Sequence, residues 1–299
     1  MLLASDIQIL ARVAEIGSVN RACGALNMSQ STLSKLVHRI EHRLGAALFV
    51  RSGRGMDPTP VCRYIIDSGA GIENQLQRIE RQAKLLAGGE AGVINLGVGP
   101  IVEELMLAEV LSSYCKAFPR ITLDIRTDSE ARLLDALAQG EVDVVVGPFD
   151  EQVRSRGFDI RHLVSQEVIF AARRGHPLAA KKRLRRGDLS EYGSALPHIP
   201  ASIERQMPDA RPDGTVSQRQ FIRCEHYPTL KKVALTTDML ISGPQSLFVD
   251  ELRSGELIKL GFKTGVVWHC GFVAKPTSLA AQPLVELGAA FEDTCKKIH

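Results

Sequence analysis

The chain has 299 residues, of which 44% are hydrophobic and 24% charged, with a net charge of +3. Its length suits two or three domains and its composition is that of an ordinary globular protein. It has no internal repeat or low-complexity segment, and no run of about 18 apolar residues to span a membrane. The charge is uneven: residues 1–63 carry eight basic and four acidic side chains, leaving a net of about −1 for the remainder. A basic module on a near-neutral body fits a polyanionic partner for the first part only.

In chain order, Ser5 to Ile16 predicts a first helix with Ile7, Leu10, Val13 and Ala14 inward. The opening MLLASDIQIL lacks a basic n-region and reads directly into that helix rather than as a signal peptide. Two further amphipathic helices follow, separated by a break at Asn27-Met28. Ser18 and Ser29 stand at their N-caps, where a hydroxyl satisfies free backbone N–H groups. Val19, Ala22, Cys23 and Leu26 share one side of the first; Leu33, Leu36, Val37, Ile40 and Leu44 share one side of the second.

The opposite side of the second helix carries Ser31, Ser34, Lys35 and His38, with Gln30 in its first turn. Amides and hydroxyls read base edges in a major groove, while cations hold phosphates. Gly45 ends the helix, Ala47 to Val50 predicts a short strand, and a Gly-rich turn with Arg51 and Arg54 follows as a wing.

Asp57-Pro58-Thr59-Pro60 is a stop and a fresh helix start, with Thr59 as cap and Pro60 in the first turn. In the next helix Ile65, Ile72, Ile79 and Leu86 recur every seven residues, and Gly69, Leu76 and Ala83 fill the interleaved positions. This is a coiled-coil seam, and it must be buried against a second copy or the chain's own body. Gly88-Gly89 ends the helix, and Glu90-Ala91-Gly92 makes a joint.

From Val93 the rhythm is β-α-β-α-β: a strand in VINLGVG, a helix at Val102–Phe118, a strand in ITLDIR, a helix at Glu130–Gln139, and a buried strand in VDVVVG. That order predicts a parallel sheet with helices on both faces. A second run follows from about residue 162, with strands near Glu167–Ala172, Ser194–Ile199, Gln220–Cys224 and in MLISG. Helices are predicted at Pro228–Thr236 and Gln245–Arg253. The strand Val266–Ala274 and a helix at Ser278–Lys297 return to the first lobe.

Ligands in open α/β sheets gather beyond the carboxyl ends of strands. The candidates are Gly99-Pro100-Ile101, Thr127-Asp128-Ser129 and Gly147-Pro148-Phe149 in the first lobe. The facing lobe offers Pro200-Ala201-Ser202 and Gly243-Pro244-Gln245, with Phe248 nearby. For Thr127, Asp128 and Ser129, helix capping and ligand contact are both open, and Asp128 would disfavour a nearby anion.

The first 60 residues resemble the LysR-type transcriptional regulators. The matching residues are Val13-Ala14-Glu15-Ile16-Gly17-Ser18, Arg21-Ala22, Leu26, Ser29-Gln30, Ser34, Val37, Ile40-Glu41, Leu44-Gly45, Leu48-Phe49, Arg51, Arg54 and Thr59. The likeness continues more loosely over nearly the whole chain. It implies an N-terminal winged helix-turn-helix over 1–58, a long linker helix over 59–88 for dimerisation, and a two-lobed α/β effector domain over 92–299. That last domain is of the type 2 periplasmic-binding-protein-like kind, with lobe I at about 92–161 and 267–299 and lobe II at about 162–266.

The implied partners are operator DNA, a small-molecule effector and the chain itself as homodimer or dimer of dimers, with RNA polymerase a further partner the family allows. The implied DNA contacts are Ser29, Gln30, Ser31, Thr32, Ser34, Lys35, His38 and Arg39 on the second helix of the motif, and Arg51 and Arg54 in the wing. The implied dimer seam is Ile65, Gly69, Ile72, Leu76, Ile79, Ala83 and Leu86. Gly99-Pro100 stands where many relatives hold a carboxylate effector with a serine or threonine, so Thr127 or Ser129 is the alternative hydroxyl.

The six cysteines (Cys23, Cys62, Cys115, Cys224, Cys270, Cys295) are scattered, most among apolar neighbours, and read as reduced thiols of a cytoplasmic protein. No metal, cofactor or catalytic motif is expected: GxSxG, P-loop, GxGxxG and HExxH are missing, and the eight histidines are not grouped. His176 in Gly-His-Pro reads as a turn residue. The rivals, a solute-binding protein and a Rossmann-like enzyme with an added helical domain, would need an export signal and a nucleotide motif respectively.

Overall fold

The computed structural model describes residues 2–52, 55–87, 91–181, 183–206 and 221–298. The chain divides into two compact units, Met1–Ile79 and Glu80–His299. Among the described residues no helix is long and apolar enough to cross a membrane.

The first unit follows from capping and burial. Helix α1 (Ala4–Ile16) stops at Gly17, which takes the left-handed backbone that closes a helix (φ 66°). Helix α2 (Val19–Ala25) starts from Ser18, whose hydroxyl accepts the Arg21 N–H at 3.5 Å. Helix α3 (Gln30–Leu44) starts from Ser29, which accepts the Thr32 N–H at 3.1 Å. The chain turns between them through Asn27 at φ 51°, a region asparagine tolerates better than most residues. Leu10, Val13, Ala22, Leu33, Val37 and Ile40 fill the core between the three helices. Burying each of the larger ones contributes roughly 1.5–3 kcal/mol. The antiparallel hairpin β1 (Phe49–Ser52) and β2 (Gly55–Pro58) pairs Phe49 with Pro58 and Arg51 with Met56. It is tied to the helices by the Met56 N–H on the Gly17 carbonyl (2.9 Å), while the Leu48 N–H just before it donates to the Glu41 carboxylate (2.8 Å).

Thr59 caps α4 (Pro60–Leu86) as expected, its hydroxyl accepting the Cys62 N–H at 3.3 Å. Two sequence expectations fail in this unit. Leu44 is 41% exposed, because it lies past the last turn of α3 that the core covers. Ile65 and Gly69 are not free seam positions. Ile65 packs on the winged-helix core, and a Cβ at Gly69 would come within 2.2 Å of Ile7 Cγ2 on α1. The heptad pattern persists, but its first third is covered within the chain. Farther along, Ile72, Leu76 and Ile79 are 51%, 46% and 51% exposed, and Ala83 is exposed too. The Leu86 side chain, Arg54 and the Gly88–Glu90 joint lie outside the described residues.

In the second unit β3 (Gly92–Val98) is followed by α5 (Pro100–Val102), which passes through a π-helical turn (Glu103–Leu107) into α6 (Ala108–Ala117). Then come β4 (Ile121–Thr127), α7 (Glu130–Gln139), β5 (Val144–Gly147) and β6 (Asp159–Arg173). The next elements are α8 (Arg186–Leu189), β7 (Ser194–Leu196), α9 (Ala201–Glu204), β8 (Phe221–Arg223) and α10 (Tyr227–Thr236). The last are β9 (Ile241–Pro244), α11 (Val249–Ser254), β10 (Leu257–Lys259), β11 (Val267–Ala274) and α12 (Gln282–Cys295).

Strands β4, β3 and β5 are parallel, as the β-α-β order predicts. The sheet as a whole is mixed, because β11 lies antiparallel to β5 and β6 antiparallel to β11. The long β6 is the piece the sequence hid. It begins at Asp159 rather than Glu167, pairs with β11 over its first half, and with β9 and β10 over its second. One strand therefore belongs to both lobes. Each lobe keeps its own core: Ile94, Leu96, Phe272 and Phe291 in the first, Ile169, Tyr227, Leu230 and Phe248 in the second. All six cysteines are free; Cys62, Cys270 and Cys295 are buried, whereas Cys115 is exposed.

His176 is a turn residue, as read from the sequence, and a buried one (2% exposed). Its Nδ1 accepts the Leu178 N–H at 3.1 Å and its Nε2 lies 3.2 Å from the Asp238 carbonyl, so the neutral ring satisfies both. Burial pushes its pKa below the ordinary 6.5, against the opposing pull of Asp238. A depressed histidine pKa contributes stability that is present above pH 6.5 and lost as the pH falls below it. Urea unfolding should therefore show a stability drop between pH 7.5 and 5.5 that shrinks in His176→Asn. An equal drop in both proteins would exclude the histidine as its source.

Candidate functional site: a polar helix face and a cavity between lobes

The first candidate is the outer face of α3. Ser29, Gln30, Ser31, Thr32, Ser34, Lys35 and His38 are all exposed, and so is Arg51 in the wing. Gln30, Ser34 and His38 line a groove with Ser18, Val19 and Asn20 at the start of α2 and with Arg51 and Met56 of the hairpin. Ser29, Ser31 and Thr32 form a hydroxyl cluster (2.8 and 2.9 Å) that closes the N-terminus of α3. Arg39 is exposed as well, at 56%, and its guanidinium also bonds at 2.7 Å to Asp6 of α1, a carboxylate only 3% exposed. It positions α3 on α1. Asn20, exposed at the start of α2, was missed; its only sequence signal is its place just after the Ser18 cap.

The second candidate is a cavity of about 100 Å³ between the two lobes of the second unit. Six of the residues expected there line it: Gly99, Pro100, Ile101, Ser129, Pro148 and Pro200. Gly243, named with the second lobe, does so as well. Ser129 stands at the N-cap of α7 but makes no capping hydrogen bond, so its hydroxyl is not taken up by the helix.

Seven expected residues do not line the cavity. Phe149 and Phe248 are fully buried, each in the core of its own lobe. Asp128 is drawn to Arg126 at 3.1 Å, and Thr127 closes the β4 ladder opposite Val98. Gly147 sits where the chain packs closely on Gly99, with no side chain to project. Ser202 and Ala201 are latches: Ser202 Oγ donates to the Pro148 carbonyl and the Ala201 N–H to Glu130, both at 2.8 Å. Burial raises the Glu130 pKa, opposed by the Ala201 N–H and the charge of Arg205. Arg205 also pairs with Asp150, and Lys231 bridges Glu104 of the first lobe (2.9 Å) to Glu251 of the second (3.0 Å). Burial alone would lower the Lys231 pKa; the two carboxylates outweigh it and hold it above the usual lysine value.

Sequence reasoning missed the apolar walls. Val168 and Phe170 come from the shared strand β6, Val266 and Trp268 from β11 and its approach, and Tyr227 from α10. Trp268 is the chain's only tryptophan, and that rarity was the one signal available.

A winged helix-turn-helix joined to a two-lobed domain with a ligand-sized cavity defines a DNA-binding regulator with an effector domain. Comparison with known proteins gives the family. Residues 4–63 match the bacterial regulatory helix-turn-helix proteins of the lysR family, and residues 87–292 match the LysR substrate binding domain. The chain belongs to the LysR family and is a DNA-binding transcriptional regulator. It is 24% identical over 257 residues to an SDS degradation transcriptional activation protein of a Pseudomonas strain, covering 85% of this chain and 83% of that one. It is 29% identical over 174 residues to the regulator GbpR of Azospirillum brasilense, covering 58% of this chain and 50% of that one. Full-length CbnR, solved in complex with its target DNA, shares the fold with a TM-score of 0.62 and 16% identity over the whole of both chains.

Proposed function

We propose that this regulator binds a pseudo-palindromic operator as a dimer joined through α4, and that a small molecule between the lobes of the effector domain controls its occupancy. The observation that carries the reading is the α3 face: Gln30, Ser34, Lys35 and His38 exposed beside the wing, with the apolar side of the helix buried behind them. Gln30 and Ser34 are the base-reading side chains; Lys35 and the wing arginines Arg51 and Arg54 hold phosphates. The exposed Ile72, Leu76 and Ile79 supply the seam, so that each dimer offers two such faces. A DNA partner supports a cytoplasmic location.

A mobility shift on the DNA flanking the protein's own gene tests the contacts. Arg51→Ala should weaken binding on every sequence and reduce the salt slope by about one. Gln30→Ala should cost about 1–3 kcal/mol concentrated at one base position. Two variants that bind like the parent would refute these contacts.

A further inference from the structure

The charges and the walls of the cavity restrict what it holds. Glu130 and Glu225 both line it, and both are partly exposed. Oε1 of Glu225 accepts the His198 N–H at 3.0 Å and pairs with the His198 ring, while its Oε2 has no hydrogen-bond partner among the described residues. At Glu130 burial raises the pKa, although the Ala201 N–H and the charge of Arg205 pull it down. Of the cations in the lining, His198 is already taken up by Glu225, and Arg186 is an exposed residue with an interaction of its own. The lining is therefore short of positive charge. An anion entering it would meet like charge where screening is weak, and a neutral molecule would leave the carboxylates without a counter-charge. The walls point the same way. Aromatic residues are 5% of the chain, yet Phe170, Tyr227, Phe262 and Trp268 all line this one cavity. Tyr227 commits its hydroxyl to the Ser242 carbonyl at 3.0 Å, so its ring is what it offers. Aromatic faces attract an organic cation, most strongly where water is excluded. A bare metal ion fits poorly, because among the described residues no group of three or more His, Cys, Asp or Glu could hold one. A chamber of about 100 Å³ is of the order that admits a single ring.

We propose that the effector is a small organic cation, a protonated amine on an apolar body about the size of one ring, with Glu225 as its counter-ion. This rests on the reading of the cavity as the effector site. The ammonium supplies the positive charge that Glu225 lacks, Glu130 adds to the negative potential, and the rings of Phe170 and Phe262 cover the apolar body.

The test is calorimetry on the full chain at neutral pH with benzylamine, benzyl alcohol and benzoate, three probes of matched size and different charge. Benzylamine should bind, with benzyl alcohol about tenfold weaker and benzoate weaker still. This ranking in the unaltered protein decides without any variant. Glu225→Gln should weaken benzylamine about tenfold and leave benzyl alcohol within about twofold; retained alcohol binding shows that the chamber is intact. Benzyl alcohol or benzoate binding as tightly as benzylamine, equal losses for amine and alcohol in the variant, or no binding by any probe would overturn the proposal. Ile101→Trp separates the two readings, because it fills the chamber whatever the ligand. If it changes reporter output from the gene's own flanking DNA while the probes fail, the ligand class is wrong and the effector site stands. If it changes nothing, the site falls too.

Discussion

Aspartate at both Ile72 and Ile79 is expected to halve the mass of the protein in solution and weaken operator binding more than 100-fold. Both side chains are 51% exposed in the single chain, one heptad apart on α4, with Leu76 between them at 46%. Burying such side chains against a second copy contributes roughly 1.5–3 kcal/mol each. An unpaired carboxylate in the same place reverses the sign, because a buried charge without a partner is strongly disfavoured. The change appears in both copies, so four positions are affected. The fold of the chain itself should not suffer, since exposed positions away from special features usually shift stability by no more than about 0.5 kcal/mol. Sedimentation equilibrium and a mobility shift check both halves. Unchanged mass would show that the seam is not on this stripe.

The second large effect is on stability. Asp143, at the entry to β5, is fully buried, accepts the Asn95 N–H at 2.9 Å and lies 3.5 Å from the Arg81 guanidinium. Arg81 is only 18% exposed and donates to the Gly140 carbonyl at 3.1 Å. Arg81 belongs to the last turns of α4 and lies within the second unit, so this ion pair ties the end of that helix to the start of β5, an inner strand of the sheet. Breaking a buried pair by removing one partner costs about 3–5 kcal/mol, because it strands a charge and an N–H together. That is a large share of the 5–15 kcal/mol that holds a typical domain. Asp143→Ala should therefore lower the urea midpoint sharply, with Asp143→Asn intermediate because the amide still accepts from Asn95. A loss below about 1 kcal/mol would show the pair to be incidental.

Sequence reading went furthest where the determinants are local. Ser18, Ser29 and Thr59 announce helix starts through backbone geometry a few residues away, and the periodic Leu33, Val37 and Ile40 announce a buried side. The α3 surface was legible for the same reason. The linker was legible as a pattern but not in its partners. Gly69 and Ile72 hold successive seam positions, yet one meets Ile7 within the chain and the other is exposed, and nothing in a heptad distinguishes them.

The cavity was the least legible feature, because its walls come from strands distant in sequence. Trp268 and Phe170 look like core residues of apolar strands until the lobes are assembled. Phe149 and Phe248 look like cleft residues at strand ends, but each turns into the core of its lobe, where burial outweighs what the cleft offers. The start of β6 was missed because its first half, DIRHLV, carries charge and lacks the continuous apolar run of a buried strand.

Hydroxyl-radical footprinting of the full chain on its operator tests the central claim most directly. Two self-paired chains, each offering an α3 face to the duplex, predict two equally protected half-sites on one side of the DNA. Their centres should lie about one helical turn, or a whole number of turns, apart. A single protected patch, or protection that survives unchanged when Gln30, Lys35 and Arg51 are all replaced by alanine, would contradict it.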